Sequence, residues 1–184
     1  MELAPLIVLG LLAAVPFAIA IGHSEMRVKR RGLRRTRRVL HSARVSPIRE
    51  LVDGKLACIV GTVEIDREAL TSILSRRQCV AYELVEWHAR VRRRMVPFYV
   101  TDATGRARVD APEAALLHAP IERGETFEER VLEPGMRIRI VGSVRIEPAA
   151  QDVHEHGFRD GAVAATLTGT AKYPLLVDVV HDET

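Results

Sequence analysis

The sequence predicts a mainly β protein, a small, partly closed β-barrel tethered by one N-terminal transmembrane helix, on three observations. Leu3 to Gly22 is an uncharged apolar run of 20 residues; nine basic and no acidic residues follow between Arg27 and Arg44; and from Lys55 onward short β-branched runs alternate with Gly, Pro and Asp turn signals. These divide the chain into an anchor (1–24), a basic juxtamembrane helix and linker (25–47) and a β-barrel domain (48–184).

As a helix, Leu3–Gly22 would rise about 30 Å, the thickness of a bilayer's hydrocarbon core. A cleaved signal peptide would carry positive charge ahead of the run, where only Glu2 stands, although Ala18 and Ala20 form an Ala-x-Ala site. A buried core helix would show a polar face, and this run has none. Pro16 kinks a helix that lipid tolerates. The basic flank stays cytoplasmic by the positive-inside rule, so the expectation is a single-pass plasma-membrane protein with its N-terminus outside and its domain in the cytoplasm.

The whole chain is +3 with a pI near 9.2, which invites a nucleic-acid partner. From Val45 to Thr184, however, 18 Lys plus Arg face 22 Asp plus Glu, a net of −4. The positive excess therefore sits beside the anchor, in Arg30, Arg31, Arg34, Arg35, Arg37, Arg38 and their neighbours. Its natural partner is a lipid bilayer with anionic headgroups, at about 1 kcal/mol per basic residue; fixing topology alone is the other reading.

Met26–Ser42 reads as a helix leaving the membrane, with a ragged apolar stripe of Val28, Leu33, Val39 and Leu40. Ser46–Leu51 reads as a helical turn, capped by Ser46 with Pro47 in its first position. Lys55–Glu64 is a strand in which Gly61 marks a bulge or a close backbone contact. Leu70–Leu74 is a short strand or edge, and Gln78–Arg92 one long bent strand. Val96–Thr101 and Arg106–Asp110 flank a hairpin turn, Asp102–Gly105, with Gly105 at a positive-φ position.

Ala111–His118 is expected to be a helix capped by Asp110. Glu133-Pro134-Gly135 signals a turn ahead of Arg137–Glu147, which alternates cleanly: Ile138, Ile140, Gly142, Val144 and Ile146 against Arg137, Arg139, Val141, Ser143 and Arg145. Ala162–Thr170 and Leu175–Val180 complete about eight strands, which an OB-like barrel accommodates economically.

Gly54-Lys55 with Cys58-Ile59-Val60-Gly61-Thr62-Val63, Leu70-Thr71-Ser72, Cys79-Val80-Ala81-Tyr82, Val96-Pro97-Phe98, Asp102-Ala103-Thr104-Gly105, Leu132-Glu133-Pro134-Gly135 and Val141-Gly142 together resemble the GIDE domain, also called BAM for "beside a membrane". The resemblance spans roughly Ile48–Val180 and carries as family-motif positions Gly61, Cys79, Tyr82, Pro97, Phe98, Gly105, Gly135 and Gly142. It implies a membrane-tethered β-barrel that recognises or organises partners. The family includes a eukaryotic mitochondrial-membrane E3 ubiquitin ligase, and that label has spread to prokaryotic relatives. Ubiquitin transfer there depends on a RING module, which needs about eight Cys and His ligands. This sequence has two cysteines, Cys58 and Cys79, so ligase activity is not carried over.

His154-Glu155-His156, with Asp152 or Asp160, is a weak metal candidate in a polar loop. Arg90, Arg92, Arg93 and Arg94 beside Trp87 and His88 have the chemistry for phosphate or RNA, but Glu83 and Glu86 share the strand and aromatic content is 4%. Cys79 lacks a His and Asp arrangement, and Cys58 and Cys79 read as buried small hydrophobes, or as a single bridge if the domain faced outward. No catalytic residue and no cofactor are assigned. The expected function is a non-enzymatic binding or scaffold module with an unknown protein partner. The alternatives are an outward-facing ligand or metal carrier and a ligase-like protein without its RING.

Overall fold

The computed structural model describes residues 32–86, 91–111, 114–147 and 164–180. The apolar run Leu3–Gly22, Arg30, Arg31, Trp87, His88, Arg90 and the loop holding His154 and His156 lie outside them. The described residues form a helix, α1 (32–42), a 3-10 turn (Ile48–Glu50) and thirteen strands. The strands are β1 (Leu56–Ile65), β2 (Leu70–Thr71), β3 (Gln78–Cys79), β4 (Ala81–Glu86), β5 (Val91–Met95), β6 (Phe98–Asp102) and β7 (Gly105–Val109), then β8 (Ala114–Leu117), β9 (Ile121–Arg123), β10 (Phe127–Leu132), β11 (Arg137–Glu147), β12 (Ala164–Thr168) and β13 (Leu175–Val179). Among the described residues no helix is long and apolar enough to cross a membrane.

Five strands close into a ring, β1-β6-β7-β12-β11-β1, so the barrel is closed rather than partly closed. All its pairings are antiparallel except β7 with β12. β11 is the shared strand: one edge pairs with β1 from Arg137 to Ser143, while the other pairs with β13 over Ile138–Val141 and with β12 over Ser143–Glu147. The predicted alternation of β11 holds. Ile138, Ile140 and Val144 join Ile59, Val63, Phe98, Val100, Val109 and Leu167 in the main core.

Val141 faces outward and is nevertheless buried, because α1 lies there. Leu40 packs with Cys58, Val141 and Leu176, and Leu33, Val39 and Ala43 extend the contact. A second sheet, β5-β4-β10-β9, is built from the two long connections of the barrel. Val80, Ala81 and Leu132 tie it to the main core.

Several elements differ from expectation. Ala111–His118 is not a helix: β8 lies beside β13 in parallel register, Leu175 opposite Ala114, and buries Ala114 and Leu116. Tertiary pairing there overrides the helix propensity of Ala and Leu. The run Gln78–Arg92 is not one bent strand; after β3 the chain starts β4, which returns as β5 with Ala81 opposite Met95 and Val85 opposite Val91. Leu70–Leu74 is strand only at Leu70–Thr71, and β9 and β10 were not expected.

Gly61 is no bulge, since the β1–β11 register runs through it unbroken. It is a close contact: a Cβ there would stand 2.5 Å from the Thr101 carbonyl oxygen. Gly105 has the expected positive φ, +159°. Gly135 needs the same freedom, with φ +84° after Pro134 in a turn closed by Met136 N–H donating to Glu133 O at 3.3 Å.

Ser46 does not cap the 3-10 turn. Asp102, at the end of β6, does so: its Oδ2 accepts the Ile48 N–H at 2.9 Å, and its Oδ1 accepts the Thr104 N–H and hydroxyl, both at 2.6 Å. Burial alone raises the Asp102 pKa, but the Thr104 hydroxyl and the N–H groups of Ile48, Thr104 and Gly105 outweigh it and hold the carboxyl below its ordinary value. A carboxylate depressed on folding stabilises the fold above its unfolded pKa, and that contribution is lost as pH falls through the folded value. Asp102→Asn is therefore expected to cost about 1–2 kcal/mol at neutral pH. It should also flatten the fall in thermal stability below about pH 4. An acid limb as steep as the parent's would contradict this role.

Candidate functional site

The helix propensity of arginine and inward residues at three- and four-residue spacing shape α1 into a two-faced element. Leu33, Thr36, Leu40 and Ala43 turn toward the barrel, and the buried Thr36 hydroxyl is satisfied by donating to Gly32 O at 3.2 Å. Arg34, Arg35, Arg37 and Arg38 stand exposed on the other side. Among the described residues none of the four has a side-chain partner. Like charges three and four positions apart destabilise a helix by a few tenths of a kcal/mol per pair, a cost that an apposed anionic surface removes.

The arginines of β5 are placed differently. Glu83, 4% exposed, sits between β5 and β10, accepting from Arg93 Nε at 2.6 Å and from an Arg130 terminal nitrogen at 2.9 Å. Arg92 pairs with Glu86 at 3.2 Å. Arg94 is exposed and has no side-chain partner among the described residues.

The outer face of β6 and β7 shows Tyr99 with the Arg106 guanidinium 4.7 Å from its ring centre. Arg108 beside it is held by Asp66 at 3.1 Å and Asp110 at 3.0 Å.

The family-motif positions are brought together as architecture rather than as a reactive site. Gly61 and Gly142 lie where strands and a Leu175 methyl crowd in; Phe98 fills the barrel next to Pro97; Gly105 and Gly135 turn the chain. Cys79 and Tyr82 pack with Val131 under the β2–β3 hairpin. Both cysteines are free and buried. Burial pushes the Cys79 thiol up to about 11, with Glu129 and Glu133 adding to it and Arg77 opposing, and burial likewise raises Cys58 against the pull of Arg139. Neither thiol is poised as a nucleophile. Among the described residues no three His, Cys, Asp or Glu side chains group to hold a metal ion.

Sequence reasoning missed Glu129. It is fully buried on β10 and accepts from the backbone N–H groups of Ile73 (2.7 Å), Leu74 (3.2 Å) and Ser75 (3.1 Å), pinning the β2–β3 hairpin to the second sheet. Nothing in the polar string Glu128-Glu129-Arg130 distinguishes it from its half-buried neighbours.

Comparison with known proteins returned no match, whether to a family model, a curated protein or a solved structure.

Proposed function

We propose that the chain is a membrane-anchored, non-enzymatic binding module of the GIDE type, an OB-like barrel held at the cytoplasmic face of the plasma membrane with α1 laid on anionic headgroups. One observation carries the reading: Arg34, Arg35, Arg37 and Arg38 share the exposed side of a helix whose other side is sealed on the barrel. That helix follows closely on an apolar run long enough to span. Four such residues supply roughly 4 kcal/mol of attraction to an anionic leaflet, enough to hold an already tethered helix down. The ring order supports the OB-like part. Numbered along the chain, the barrel strands run first, second, third, fifth, fourth, with the third and fifth parallel, a five-stranded Greek-key closure.

The test uses the full chain in lipid nanodiscs with a fluorophore at His41→Cys, an exposed α1 position. Headgroup-level quenchers should quench it in discs containing phosphatidylserine, less in pure phosphatidylcholine, and less at high salt. Replacing Arg34, Arg35, Arg37 and Arg38 together by Glu should abolish the difference between the lipids. Equal quenching in both lipids by the parent protein would overturn the electrostatic role of α1.

A further inference from the structure

The second sheet ends at β5, and among the described residues no strand pairs with its outer edge. Its ladder with β4 runs through five consecutive pairs without a bulge, it contains no proline, and Val91 to Arg94 are all exposed. Open edges are ordinarily blunted by proline, a bulge or charge, and among the described residues the device found at this edge is arginine. Arg93 is held in place by Glu83, which Arg130 shares from the opposite side, so one buried carboxylate serves two guanidiniums.

On β4 and β5 Arg92, Arg93 and Arg94 stand against Glu83 and Glu86, a surplus of one positive charge, and Arg94 is the one left without an acidic partner among the described residues, in a domain whose own balance is negative. Arg92 and Arg94 fall on the same face, opposite Leu84 and Tyr82. A positive edge repels a second copy of itself and attracts a strand of opposite charge.

We propose that the β5 edge accepts an extended acidic peptide segment of a partner protein as a fifth strand. The partner's main chain would pair with the open edge, and alternate Asp or Glu side chains would meet Arg92 and Arg94. This names the kind of partner for the binding module proposed above, and it does not depend on α1 touching lipid.

The experiment measures fluorescence anisotropy of a labelled eight-residue peptide alternating Val and Glu, titrated with the full chain in phosphatidylcholine nanodiscs, where no anionic lipid competes. Saturable binding is expected, weakened about tenfold by Arg94→Glu and by less in Arg94→Gln. Both variants should unfold at the parent's temperature, since Arg94 is exposed and unpaired among the described residues. Two N-methylated peptides, each blocked on one alternate set of amides, divide the mechanism: one should lose binding and the other keep it, because only one set faces the sheet. No binding of the acidic peptide, equal binding of both methylated forms, or no effect of Arg94→Glu would overturn the proposal. So would tighter binding of a single-stranded oligonucleotide of equal charge. Loss of lipid contact by α1 with peptide binding intact would count against the membrane reading alone.

Discussion

Gly61→Val is expected to abolish the folded barrel or to cost about 3 kcal/mol or more. Gly61 lies on β1 opposite Ile138 of β11, next to Thr62, which pairs with Thr101 on β6. A Cβ at this point would meet the Thr101 carbonyl oxygen at 2.5 Å and a Val100 methyl at 2.7 Å. The carbonyl is backbone in a closed ring, so it cannot withdraw without opening the β1–β6 ladder. Gly142 offers a comparison, since there the nearest atom is the tip of Leu175 at 2.7 Å, which can rotate. Gly142→Ala should therefore be milder than Gly61→Ala. Thermal unfolding of the pair checks the ranking, and equal stability of Gly61→Val and the parent would refute the close-contact account.

Glu129→Ala is expected to cost about 3 kcal/mol, a drop near 10 °C in unfolding temperature. The carboxylate is fully buried and receives the Ile73, Leu74 and Ser75 amides together with the Ser75 hydroxyl at 3.2 Å. Truncation strands those donors under the second sheet. The loss should begin locally, so hydrogen exchange at Ile73, Leu74 and Ser75 should accelerate well before the barrel amides do. Unchanged protection at these three amides would show that the hairpin is held by something else.

How far the fold can be read from sequence follows from where each residue's energy comes from. β11 is legible because its apolar and polar residues alternate and a single strand pattern satisfies both faces. The Asp102–Gly105 hairpin and the Pro134-Gly135 turn are legible because their backbone needs are local. Ala114 to Leu117 is not: its helix-favouring residues become a strand only because β13 offers a parallel edge 61 residues away, as at Leu117 opposite Asp178. β4 and β5 read as one strand because the residues joining them carry no Gly or Pro turn signal. β10 was invisible because its buried Glu129 draws its stabilisation from amides on another hairpin. Of the candidate site, the exposure of Arg34, Arg35, Arg37 and Arg38 was implied by their spacing. The shared carboxylate between Arg93 and Arg130 required the β4–β10 pairing to be known.

The most direct test of the tethered, inward-facing reading uses Glu125→Cys, an exposed position on the β9–β10 turn, in cells expressing the full chain. Cys58 and Cys79 are buried, so the parent protein is the silent control. The protein should stay with the membrane fraction through an alkaline wash, and an impermeant maleimide should label it only after the membrane is opened. Labelling in intact cells, or release from the membrane by the wash, would contradict the account.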